Sequence, residues 1–171
     1  MAGLETVRER LEAPCGYAFA TLIHARVGEV ALGTTPVVAV VMATLRADTE
    51  GALAELRSRV ETMARETAGR FGLAHTLSWT EEFPVTVNDP GSVELVGRVA
   101  GAQGMAVEWR HESFRWSEDF GWFTREAPGA LFGLGAGEGC APLHAGGYDF
   151  PDRLIAPGVG LMDGVVRAIL S

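Results

Sequence analysis

Apolar positions change their period several times along the chain, and each change marks an element. From Leu4 to Leu11, "LETVRERL" places Leu4, Val7 and Leu11 at helical spacing and runs out before Pro14, so it reads as the last turns of a helix. The runs "YAFATLIHARVGE" and "PVVAVVMATLR" are β-prone and flank "VALGTT", whose Gly33 marks a turn; together they predict a β-hairpin. Asp48 or Thr49 can cap the helix that follows. Its apolar positions Leu53, Leu56, Val60, Met63, Thr67 and Phe71 step by threes and fours until Gly72 stops it. The opposite face pairs Glu55 with Arg59, Glu61 with Arg65 and Glu66 with Arg70 at i,i+4, glutamate first, which is the favourable order. In "LAHTLSWTEEF", Leu73, His75, Leu77 and Trp79 share one side of a half-buried strand.

The connector "FPVTVNDPG" interrupts this pattern, and glycine-rich α/β material follows it. "SVELVGRVAGAQG" predicts a short helix, and "WSEDFGWFTREAPG" a second one stopped by Pro128. "ALFGLGAG" is apolar on both faces, which suits the middle of a covered parallel sheet. "LIAPGVGLMDGVVRAIL" closes the chain as a helix with Ile155, Val159, Met162, Val166 and Ile169 at core spacing. The whole is an α/β (α+β) chain in two parts, residues 1–82 and 83–171.

Composition narrows the function classes. With 171 residues and 47% hydrophobic content, the chain can bury a core. A net charge of -8 without a Lys/Arg cluster repels phosphate backbones and anionic head groups, so neither nucleic acid nor a membrane surface is an expected partner. Apolar runs such as "TPVVAVVMATL" fall short of the roughly 20 residues that span a bilayer, and a cytoplasmic protein is expected. Cys15 and Cys140 lie in unlike contexts far apart, which points to reduced thiols.

Candidate chemistry centres on "GEGCAPLHAGGYDFP", where His144 stands between glycine-rich turns. Read alone, such a histidine is a surface residue or a hydrogen-bonded core residue. "GLGAGEG" follows an apolar run but lacks the third glycine of a dinucleotide loop. Ser117, His144 and Asp149 could form a hydrolytic triad, yet no G-x-S-x-G elbow is present and Ser117 reads better as a helix cap. His24, His75 and His111 have no supporting motif.

Three segments, "TLSWTEEFPVTVND", "WSEDFGWFTREAPGALFGLGAG" and "APLHAGGYDFPDRLIAPGVGL", resemble in order the closing part of the M20 family of metal-dependent peptidases and amidohydrolases. The likeness is greatest to its hippurate hydrolases and N-acyl amino acid amidohydrolases. The upstream segments are similar to that family's lid, or dimerisation, domain, so the resemblance covers nearly the whole chain. It implies a partial ferredoxin-like lid lacking its first strand over residues 1–82, then the last segment of a catalytic α/β domain. It also implies a homodimer through the lid and a divalent metal, zinc, manganese or cobalt, in the complete enzyme. His144, in the family's "PLH" motif, resembles the last protein ligand of a two-metal site. Arg46, at the end of "ATLR", resembles an arginine that grips a substrate carboxylate, which a bidentate guanidinium suits. Glu118 and Asp119 of "SEDF" resemble residues lining the metal cleft, although acids in a helix's first turn also serve its dipole. Gly33 in "GTTP" replaces the family's usual asparagine, so that either Thr34 or Thr35 substitutes for it or this subgroup treats its substrate differently.

The resemblance places the family's general base and other ligands in its first half, so that no H-x-D, Glu-Glu or C-x-H ligand segment is expected here. The resemblance thus implies an incomplete amidohydrolase for N-acyl amino acids or small peptides, inactive alone and without a tight metal site. The alternatives are a non-catalytic binding or dimerisation module and, last, a hydrolase using Ser117, His144 and Asp149.

Overall fold

The computed structural model describes residues 17–171 except Thr34 and Ser117. The expected helix at Leu4–Leu11 and Cys15 lie outside the described residues. Contacts divide the chain into two units. One takes the chain up to Val85 together with Ser113–Glu118; the other takes Thr86–Glu112 and Asp119–Ser171.

In the first unit, β1 (Ala18–Val27) pairs antiparallel with β2 (Ala39–Ala47), as the two β-prone runs predict. The register runs from Ala18 opposite Ala47 to Val27 opposite Ala39, with a bulge that leaves Ile23 without an opposite residue. Gly28 (φ 61°) and Gly33 (φ 77°) take the left-handed backbone in the connection between the strands. Helix α1 (Glu50–Arg70) follows, and Thr49 is its cap: the threonine side chain accepts from the Ala52 amide at 3.1 Å. Its end is a Schellman motif. The Leu73 amide donates to the Ala68 carbonyl at 2.9 Å and the Gly72 amide to Gly69 at 3.2 Å, with Gly72 at φ 63°.

Leu56 of α1, 0% exposed, packs with Ala18 of β1, and Leu45, Ala47, Ala52, Val60 and Met63 close around them. The helix therefore covers one face of the hairpin's open end. The apolar stripe turns sooner than its spacing suggests: Ala68 is buried, while Thr67 and Phe71 are exposed. Of the three expected ion pairs, Arg59 donates to Glu55 at 3.0 Å, but Arg65 bonds Thr62 and Arg70 lies over the Phe71 ring.

The strand expected from Leu73 to Glu81 is not paired, and all its side chains but Trp79 are exposed. Its anchorage is made by side chains instead. Trp79 Nε1 donates to Glu61 Oε1 at 3.1 Å, and Arg57 lies 4.6 Å over the Trp79 ring while bonding Glu61 at 3.3 Å and Glu82 at 2.5 Å. A strand is defined by backbone partners, and among the described residues none is placed beside this segment.

In the second unit, α2 (Pro90–Ala102) begins with Asp89 accepting from the Ser92 amide at 2.7 Å and with proline at its first position. Helix α3 (Gly121–Glu126) starts later than "WSEDF" suggests and ends before Pro128. A 3₁₀ turn, Asp152–Leu154, leads into α4 (Ile155–Leu170). Helices α2 and α4 pack through Val99, Ala100 and Leu161, with Leu95, Met105 and Val165 around them, and Gln103 Nε2 donates to the Gly160 carbonyl at 2.8 Å.

Two expectations are corrected in this unit. "ALFGLGAG" is not a paired strand; instead the Asn88 side chain donates through Nδ2 to the Leu131 carbonyl and accepts through Oδ1 from the Leu131 amide, each at 2.8 Å, replacing one rung of a ladder. On α4, the expected core positions Ile155, Val159, Met162, Val166 and Ile169 face solvent. The contact with α2 is made on the glycine side, where a Cβ on Gly164 would meet Val99 Cγ1 at 2.7 Å. The chain is thus a mixed α/β fold, and among the described residues no helix is long and apolar enough to cross a membrane.

Candidate functional site

His144 lies in the second unit, in a tight turn of the loop between α3 and α4. The Ala145 amide donates to the Pro142 carbonyl at 3.0 Å, and His144 has φ 69°. That combination is a type II turn, whose third position requires a positive φ and ordinarily takes glycine. A side chain there carries backbone strain of about 1 kcal/mol or more. Histidine tolerates it better than a β-branched residue would, and the turn leaves the imidazole exposed. The loop is held at both ends. Tyr148 N donates to the Ala145 carbonyl at 2.9 Å, Cys140 N to Gly137 at 3.2 Å, and the Arg153 guanidinium bonds the Ala136 carbonyl.

No hydrogen bond or ion pair joins His144 to Asp149 among the described residues, and Ser117 lies outside them, so the triad gains nothing. No group of three His, Cys, Asp or Glu side chains gathers to hold a metal among the described residues. His144 is thus part of no three-ligand set among the described residues, and these residues do not by themselves fit a divalent cation. An adjacent glutamate pair does occur at Glu81–Glu82, but Glu82 is bonded to Arg57 in the anchorage described above.

Arg46 lies in the first unit, near the end of β2. Its register partner is Phe19, and its guanidinium stands 6.0 Å over the Phe19 ring. Phe19 and Arg46 share the face opposite α1, because their neighbours Ala18, Leu45 and Ala47 face the helix. On the same face Tyr17 lies 5.7 Å from Phe19, and Arg115 stands 5.9 Å over the Tyr17 ring. The Tyr17 hydroxyl donates to the Phe114 carbonyl at 2.8 Å. Burial pushes its phenol above the ordinary value and Asp48 adds to this, while Arg115 and Arg46 pull the other way. Glu118 closes the same 113–118 segment and is exposed; it and Asp119 precede α3 rather than forming its first turn.

The sequence reading missed Tyr17 and Arg115. Their roles depend on an approach across 97 positions, and only the run of aromatic and arginine residues in "FRW" hinted at a contact. The second unit also has an open depression of about 430 Å³ lined by residues including Asn88, Asp89 and Thr124. Asn88 and Asp89 are committed to the bonds already described.

The family model of Peptidase family M20/M25/M40 matches residues 2–168. This chain belongs to that family. An aminohydrolase, provisionally so named, from methicillin-resistant Staphylococcus aureus has a crystal structure with a TM-score of 0.72 to this chain and 20% sequence identity. The match covers 99% of this chain and 44% of that one, and it shows the shared fold. A protein of Rhodococcus jostii (strain RHA1), provisionally named glutamate–cysteine ligase 2-3, is 27% identical over 151 residues. Those residues are 82% of this chain but 19% of that protein, whose name describes a much longer molecule. This chain thus spans less than half the length of either relative.

Proposed function

We propose that this chain is the lid and closing catalytic segment of an M20-type amidohydrolase that cleaves the amide bond of N-acyl amino acids or small peptides. The family membership supports the reaction class, and the observation that carries the site assignment is the strained, exposed turn at His144. A type II turn that keeps histidine where glycine is easier fits a side chain retained for its imidazole.

In this reading His144 supplies one ligand to a zinc, manganese or cobalt centre, and the other ligands and the general base come from sequence outside this chain. Such a metal supplies Lewis-acid activation of the amide carbonyl and of water. Arg46 holds the substrate carboxylate by a charge-assisted pair and Glu118 lines the substrate side. A homodimer through the lid and a cytoplasmic setting belong to the same proposal. The exposed apolar stripe of α4 supports the need for further chain, since an apolar helix face is ordinarily covered.

The test joins this sequence behind the amino-terminal half of an M20 amidohydrolase and assays hippurate and N-acetyl amino acids with zinc, manganese or cobalt. Residues 1–171 alone are expected to show no enzyme-like turnover. The joined protein is expected to be active and to lose activity in His144→Ala. An active joined protein indifferent to His144→Ala removes the ligand assignment. Turnover by residues 1–171 alone that vanishes in His144→Ala and survives controls for contaminating enzyme removes the incomplete-chain reading. If the joined protein folds, dimerises and has no activity, the non-catalytic dimerisation module becomes the better account.

A further inference from the structure

We infer that Tyr17 is a positioning residue, a clasp that holds residues 113–118 against the helix-free face of the hairpin beside Arg46, with Arg115 reinforcing the clasp. The proposal rests on the reading above in one respect, that Arg46 and Glu118 face substrate; the clasp itself stands on geometry alone.

Both ends of the clasp are fixed. The Tyr17 carbonyl accepts from the Asp48 amide at 3.1 Å, which closes the open end of the hairpin and sets the direction in which the phenol points. Its hydroxyl then donates 2.8 Å to the Phe114 carbonyl, 97 positions away and partly shielded from water. One residue on, the Arg115 guanidinium stands 5.9 Å over the same ring, a cation–π contact that favours the ring's present place. Phe114 and Trp116 stack at 4.2 Å and 14°, which stiffens the strap on either side of Arg115.

The face is also the relevant one. Tyr17 and Phe19 alternate with Ala18, which α1 buries, so both rings lie on the side that carries Arg46. The strap thereby brings Glu118 into the same compact unit as Arg46. A phenol is a donor through the neutral range, where a carboxylate substrate is ionised, and burial shifts Tyr17 further in that direction.

The test compares wild type, Tyr17→Phe and Arg46→Ala for two properties: amide exchange at residues 114–116, and hippurate binding by ligand-observed NMR. Removing one partly buried hydrogen bond is expected to speed strap exchange about fivefold in Tyr17→Phe, with amides in the middle of α1 unchanged. Hippurate binding is expected to weaken by a similar factor, because the ring and its packing stay while the hydroxyl goes. Arg46→Ala is expected to lose hippurate with the strap as slow as in wild type. Unchanged strap exchange in Tyr17→Phe overturns the clasp. A faster strap with hippurate binding equal to wild type, where Arg46→Ala has lost it, overturns the positioning role. Hippurate bound by none of the three overturns the carboxylate reading of Arg46 and the positioning role with it, and the exchange data then decide the clasp separately.

Discussion

Replacing Gly164 with alanine sets two effects of opposite sign against each other on α4. Glycine in a helix interior costs roughly 0.5–1 kcal/mol relative to alanine, so the substitution gains that much if nothing obstructs the new methyl group. The methyl is obstructed. Its carbon would lie 2.6 Å from Gln103 Nε2 and 2.7 Å from Val99 Cγ1, well inside ordinary contact. The glutamine can swing aside, but it then surrenders its bond to the Gly160 carbonyl, a loss of about 1 kcal/mol. Val99 cannot swing, because a β-branched side chain in a helix has one strongly preferred rotamer. The helices must part instead, at an overpacking cost of about 1–3 kcal/mol in a core formed chiefly by Val99, Ala100 and Leu161. The obstruction wins, and Gly164→Ala is expected to destabilise the second unit by about 2 kcal/mol. Gly101→Ala on α2, where a Cβ meets nothing within 4 Å, is the control and is expected to be neutral or stabilising by up to about 1 kcal/mol. Urea denaturation, with amide exchange of α4 to assign the transition to this unit, measures both. Gly164→Ala as stable as Gly101→Ala would refute the close α2–α4 approach.

Two further outcomes follow from charge and ligand count. The hydrogen bond from Arg167, 2.7 Å away, holds the exposed Asp163 carboxyl below its ordinary value. A depressed carboxyl stabilises the fold above the unfolded carboxylate range and loses that contribution as pH falls through the folded value. An NMR titration is therefore expected to find Asp163 titrating below an ordinary aspartate and moving upward in Arg167→Gln; no movement refutes the pair. For zinc, calorimetry on residues 1–171 is expected to show only weak, unselective binding, because one imidazole is too few ligands. Submicromolar affinity lost in His144→Ala would mean that further ligands converge on that turn.

What was legible in the sequence was local. Thr49, Gly72 and Pro128 act within a turn of their own positions, and α1 and α3 stop or start beside them, whereas Asp89 and Pro90 have the composition of a connector and in fact open α2. The hairpin was legible because two β-prone runs lie close enough in sequence to pair. The segments at Leu73–Glu81 and "ALFGLGAG" have strand composition, but composition does not supply a partner. Their backbone groups and side chains are engaged instead by Glu61, Arg57 and Asn88. On α4 the stripe Ile155, Val159, Met162, Val166 and Ile169 marked the wrong face, while Leu161 and Val165 make the contact. A rule that assigns bulk to the core fails where the partner helix approaches over glycine, since close approach needs the absence of a side chain.

The candidate site shows the same limit more sharply, because a single residue decides it. Counted back from the turn, where Val27 faces Ala39 and His24 faces Met42, an unbroken ladder would put Arg46 opposite Ala20 and Phe19 opposite Ala47. Arg46 would then share the helix-covered face with Leu56 and its neighbours, where burying a guanidinium is costly. The extra residue at Ile23 shifts the ladder by one, and Arg46 faces Phe19 on the open side instead. Nothing in "AFATLIHARV" announces that bulge: Leu22, Ile23 and His24 suit a regular strand as well as an interrupted one. The family resemblance could name Arg46 as a substrate contact, but only the one-residue shift places its guanidinium, Phe19, Tyr17 and the 113–118 strap on the same face.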